Sequence, residues 1–181
     1  MGESVAAATT AVAEALGDRA HFDELATLTC GGLLIVFSMW WLYFALPAHE
    51  LLTSVNRAFV WGYGHYVIFA SVAAAGAGLA AHIDVVTGDS ALTGWWRGGV
   101  VAVPVALYLW VLWALQMKPR AMPGRFQPVL PVAGVVVLAS AGTPEPVLAT
   151  GVVTAVVTGG AIVVSSRSAA ASGRAGTGEA T

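Results

Sequence analysis

The sequence predicts an all-α fold, a multi-pass transmembrane helix bundle of about five spans plus a partial N-terminal helix. Two observations predict it. Of 181 residues, 57% are hydrophobic and 10% charged, whereas ordinary soluble domains carry about a quarter charged. The few charges are also clustered, with none between Glu24 and His49 and none between Arg97 and Lys118. Each gap matches the roughly 20 apolar residues that cross a ~30 Å hydrocarbon core.

Residues 3–16, rich in Ala, Val and Thr, read as a helix ending at Gly17. At about 1.5 Å per residue the segment covers roughly 21 Å, too short to span. It is no signal peptide, because Glu3 stands where a cationic stretch belongs. The first complete span is residues 26–46, stopped by Pro47. The second is 60–82 and carries His65. The third is 96–116 with Pro104 inside, a residue that membrane helices tolerate when neighbours re-satisfy the backbone. The fourth, 128–141, is short and opens on Pro128 and Pro131. The fifth, 147–164, is rich in Val and Thr; a lone strand in lipid would leave its backbone unpaired, so it reads as helix. Residues 1–164 thus form one transmembrane domain, and 165–181, made of Ser, Ala, Gly and Arg, read as a disordered tail.

In the second span Ala70, Ala74 and Gly78 recur every four residues, as do Ala73, Ala77 and Ala81. Small residues at this spacing let helix backbones approach closely. Alternating sides place Arg57, Lys118, Arg120, Arg125, Arg167 and Arg174 together, six of the eight basic residues. An excess of Lys and Arg marks the cytoplasmic side, so the tail is expected there. Trp40, Trp41, Tyr43, Trp61, Tyr63, Trp110 and Trp113 fall near cytoplasmic span ends, with Trp95 and Trp96 at an outer end, at the headgroup levels that Trp and Tyr prefer.

The block Trp40-Trp41-Leu42-Tyr43-Phe44, followed by Trp61-Gly62-Tyr63-Gly64-His65 and preceded by Gly2-Glu3-Ser4-Val5, resembles the bacterial low temperature requirement protein A family. The likeness runs from residue 2 to about 164. Ala45 departs from it, standing where the family commonly has an acidic residue after the aromatic block. Members of that family are longer, and the present chain resembles their C-terminal half. The resemblance implies a multi-pass bacterial membrane protein and no particular reaction; it also suggests that residues 3–16 are the end of a longer helix.

No nucleophile elbow, His-Glu-x-x-His motif, phosphate loop or dinucleotide fingerprint is present, so no enzymatic activity and no cofactor are expected. Cys30, the only cysteine, reads as a small buried apolar residue. The net charge of −2 argues against nucleic acid as a partner. The expected partners are the lipid bilayer and other membrane helices, including a second copy.

Two polar constellations remain. Glu3, Thr10 and Glu14 return to nearly one helix face. Glu14 reads as an interfacial carboxylate, whereas Glu3 lies deeper and is assigned to the interior, where ionisable groups are costly. Arg57, Trp61 and His65 share a second face at four-residue spacing, with His65 about 12 Å further in than Arg57. His65 is either a titrating group or a histidine bonded to a neighbouring helix for packing. Glu3, His65, Arg57, Trp61 and Tyr43 together are the expected interior polar site. His21, Asp23, Glu24, His82 and Asp84 gather at the outer side, where an acidic surface needs no metal to explain it. Two roles follow: a transporter- or channel-like protein whose polar residues line a path, or a structural, stress-adaptation protein in which they only pack helices.

Overall fold

The computed structural model describes residues 22–45, 55–88, 90–116 and 128–177, together with Ala6 and Thr10. Among them are five helices and no strand: α1 (Phe22–Phe44), α2 (Val55–Thr87), α3 (Trp96–Gln116), α4 (Val129–Ser140) and α5 (Pro146–Thr177). Four carry stretches long and apolar enough to cross a membrane, namely Asp23–Phe44, Phe59–Thr87, Trp96–Leu115 and Pro146–Val163. The fourth expected span is the exception. At 12 residues α4 covers only about 18 Å by helix rise. Of residues 3–16, Ala6 and Thr10 are helical, and the Thr10 hydroxyl donates to the Ala6 carbonyl at 3.1 Å; the rest lie outside the described residues.

Side chains that a soluble protein would bury face outward here. Phe37 is 65% exposed, Tyr66 77% and Val156 68%. A helix apolar around its whole circumference is stable only when lipid replaces water on its outer face. The inner faces build one core on α3, where Val101, Ala102, Val105, Ala106, Tyr108, Leu109 and Leu112 are all buried.

Helix order follows from a few close contacts. A Cβ on Gly31 of α1 would stand 2.7 Å from the Leu148 nitrogen of α5, and one on Gly151 would stand 2.6 Å from the Gly31 carbonyl. Backbone therefore lies on backbone, and α1 is clamped to α5. In the same way a Cβ on Gly78 of α2 would overlap the Val100 carbonyl of α3. That carbonyl is the one Pro104 leaves without its helical donor, since proline has no N–H to offer four residues back. The kink-prone position and the glycine are two halves of one contact. Trp110 and Trp95 donate to the carbonyls of Pro131 and Leu138, both at 3.2 Å, and so lay α4 along α3. Helices α1 and α2 touch only narrowly.

Several expectations are corrected. Of the two small-residue rows, only Gly78 is buried, while Ala70, Ala73, Ala74 and Ala77 are exposed. Gly78 fixes the rotation of α2, and Ser71, Ala75, Leu79 and His82 turn inward with it. Cys30 is exposed on α1 rather than buried, because Gly31 takes the close contact with α5. The last helix runs on to Thr177, through the stretch read as a disordered tail from Ser165. Propagating an existing helix through Ala169, Ala170 and Ala171 requires no new nucleation. Helix α2 ends at Gly88, whose φ of 84° is the left-handed backbone that glycine adopts without strain.

Candidate functional site

The aromatic block at the end of α1 and the first turns of α2 meet at one end of the bundle. Tyr43, Trp61 and His65 are each half-buried there. The His65 Nδ1 lies 2.7 Å from the Trp61 carbonyl, one turn back on its own helix. Its Nε2 lies 3.0 Å from the Tyr43 hydroxyl on α1. A carbonyl can only accept, so Nδ1 carries a hydrogen and donates. In the neutral ring Nε2 is then the acceptor, and the Tyr43 hydroxyl donates to it. If the ring gains a proton, Nε2–H donates and the same tyrosine oxygen accepts. The heavy atoms need not move, because a hydroxyl can play both parts.

Aromatic rings enclose the pair. Trp61 and His65 ring centroids are 3.7 Å apart with 39° between planes. Tyr43 meets His65 edge-on at 5.6 Å, and Phe69 meets it at 6.1 Å. Of the five expected site residues, then, the structure brings together Tyr43, Trp61 and His65. Arg57 lies on α2 two turns before His65, with its side chain outside the described residues. Glu3, like Glu14 on the same expected face, is also outside them.

Behind this pair an apolar cleft of about 80 Å³ separates α1 from α2. Its floor is Tyr108 of α3, only 1% exposed, whose hydroxyl donates to the Met39 carbonyl of α1. The ring carbons of Tyr108 therefore form the floor while its one polar atom is satisfied.

The hydroxyl row was missed in the sequence reading. Thr150, Thr154 and Thr158 follow one another at four-residue spacing on α5, all buried. That spacing was the available signal. The Thr150 and Ser140 hydroxyls are 3.0 Å apart, and Ser140 donates to the Val137 carbonyl at 2.7 Å, which leaves Thr150 as donor to Ser140. Thr154 and Thr158 donate to carbonyls of their own helix. These groups are satisfied within the protein and act as packing elements. Trp113 differs: its buried indole nitrogen has no partner, the one such side-chain atom among the described residues.

At the opposite end, His82 Nδ1 donates to the Arg97 carbonyl at 2.7 Å and ties α2 to the first turn of α3. No three His, Cys, Asp or Glu residues gather in metal-binding geometry among the described residues, and His21 of the expected outer cluster lies outside them.

No curated protein and no solved structure matches this chain. The sequence profile of the bacterial low temperature requirement A protein matches residues 1–164. With nearly its whole length covered by that match, and with the apolar helices the match would require, the chain belongs to the bacterial low temperature requirement A family of integral membrane proteins.

Proposed function

We propose that this protein is a non-enzymatic, transporter- or channel-like protein of the cell membrane whose polar site is built on His65 and Tyr43. The observation that carries the reading is the Tyr43–His65 hydrogen bond between two membrane helices. His65 is a hydrogen-bonding group whose partner can both donate and accept, in a segment that holds no Asp, Glu, Lys or Arg from Phe59 to Ala81. Polar groups inside membrane helices are costly and often mark ion pathways. Arg57 and Trp61 continue the His65 face toward the helix end, and Glu3 is proposed to join the site from the N-terminal segment. The helix ends flanked by Arg57, Lys118, Arg120 and Arg125 are proposed to face the cytoplasm, with the C-terminal tail on that side.

The test is proton or cation flux in vesicles holding the purified chain, read with an entrapped pH dye. His65→Ala and Tyr43→Phe should abolish flux while membrane abundance stays near that of the unaltered protein. Full flux in both variants overturns the polar-site reading. A second reading, a structural or stress-adaptation protein without transport, has support from the self-satisfied hydroxyls of Thr150, Thr154 and Thr158. It is favoured if the variants lose abundance and the unaltered chain shows no flux.

A further inference from the structure

We infer that the bundle is built as two units that part at the Tyr43 end, α1 with α5 and α2 with α3 and α4, and that the Tyr43–His65 bond is the latch between them. Each unit is fastened internally by close packing. Gly31 and Gly151 seat α1 on α5, and Gly78 seats α2 on α3, backbone against backbone. Helix α4 joins the second unit through the bonds from Trp95 and Trp110 to its carbonyls. A Cβ on Gly134 of α4 would also meet the Trp110 ring, at 2.4 Å from its nitrogen. Between α1 and α2 the contact is of another kind. A Cβ on Gly32 of α1 would meet only the methyl carbons of Leu79, at an ordinary 3.5 Å, and beyond them the cleft intervenes.

The two ends of this seam differ. At the end opposite Tyr43 the units are tied together. The turn from Ser140 to Pro146 joins α4 to α5 through the chain itself. The Thr150 hydroxyl donates to Ser140 across that turn at 3.0 Å. A Cβ on Gly98 of α3 would stand 2.4 Å from the Pro146 side chain. Gly31 lies level with Leu148 in the first turn of α5, so Tyr43 is about 18 Å further along by helix rise. There the seam is crossed by the Tyr43–His65 bond, and nearer the middle by the Tyr108 hydroxyl on the Met39 carbonyl.

Lipid decides what holds such a seam. In water, parting apolar faces such as those of Ile35 and Ile68 would be opposed by the hydrophobic effect. In a bilayer the tails are as apolar as leucine, so close packing and polar bonds carry helix association instead. The α1–α2 seam has a cleft in place of close packing, and it therefore rests on its hydrogen bonds. With the Tyr43–His65 bond broken, the units tilt apart about the Ser140–Pro146 turn while every glycine contact within them is kept. This stands apart from the transport reading, and its test is a distance rather than a flux.

The experiment measures distances between paired spin labels in the full chain in lipid vesicles, on a Cys30→Ser background. Tyr63→Cys on α2 with Val156→Cys on α5 reports between the units. Phe37→Cys with Val156→Cys reports within the first unit, and Tyr63→Cys with Leu107→Cys within the second; all of these positions are exposed. Tyr43→Phe removes only the hydroxyl. For the between-unit pair it should raise the ratio of a longer to the shorter distance about threefold, the weight of one average hydrogen bond between membrane helices. Adding Tyr108→Phe should raise the ratio further. Both within-unit distances should stay as they are in the unaltered protein. A between-unit distance that remains single and unchanged in both variants overturns the inference. So does a within-unit distance that lengthens along with it, since the helices then separate one by one.

Discussion

The Tyr43 hydroxyl stands 3.0 Å from His65 Nε2, a polar link between two helices that an apolar cleft otherwise holds apart. Because the Trp61 carbonyl fixes the hydrogen on Nδ1, the ring has one neutral tautomer in this setting. Nitrogen-15 spectra of the histidine-labelled protein should therefore show His65 as the Nδ1–H form when neutral. The Nε2–H form would mean that the Trp61 bond is not made.

The same pair has a measurable energy. Hydrogen bonds between membrane helices average about 0.6 kcal/mol in double-mutant cycles. A cycle of Tyr43→Phe and His65→Ala, followed by unfolding in detergent, should give a coupling of that order. A coupling of zero would mean that the two side chains act separately and that the Trp61 carbonyl and aromatic stacking hold His65 without Tyr43.

Glycines at two positions on α2 should respond oppositely. A Cβ on Gly78 would run into the Val100 backbone, whereas a Cβ on Gly62 meets nothing within 4 Å. Gly78→Ala should lower stability by about 1–3 kcal/mol, the usual cost of overpacking. Gly62→Ala should be neutral or slightly stabilising, because alanine is the better helix former. Thermal unfolding in detergent separates the two. Adding Pro104→Ala, which returns a helical donor to Val100, should change the cost of Gly78→Ala if the two positions form one contact.

Tyr108 tests the floor of the cleft. Its hydroxyl donates to a carbonyl of α1, while its ring is nearly inaccessible. Tyr108→Phe keeps the ring and should cost about 1 kcal/mol. Tyr108→Ala opens a cavity in the core and should cost about 3–5 kcal/mol. Similar losses in both variants would place the energy in the hydroxyl instead.

Topology is open to direct labelling. With Cys30→Ser as background, a cysteine at the exposed Ala91 should react with an impermeant maleimide in intact cells. A cysteine at Arg120 should react only after the membrane is broken. The reverse pattern would invert the orientation drawn from the basic residues.

Composition and spacing were sufficient for the membrane and for a bundle of apolar helices, and they singled out Tyr43, Trp61 and His65, but not the Thr150, Thr154 and Thr158 row. Long runs without charge can be satisfied only by lipid, and that constraint is one-dimensional: it acts on each segment alone. The four-residue spacing of Arg57, Trp61 and His65 likewise needed nothing beyond the pitch of a helix. Which way each helix turns was not legible. Helices apolar on every face give no amphipathic signal, so nothing in the order of Ala70, Ala73, Ala74 and Ala77 said that they would face outward. That was decided by Gly78 meeting the carbonyl released by Pro104, and by Gly31 meeting Gly151, contacts between residues far apart in the chain. Those two clamps also hold α1 off α2, and so the tertiary structure alone determined that a cleft lies beside the Tyr43–His65 pair.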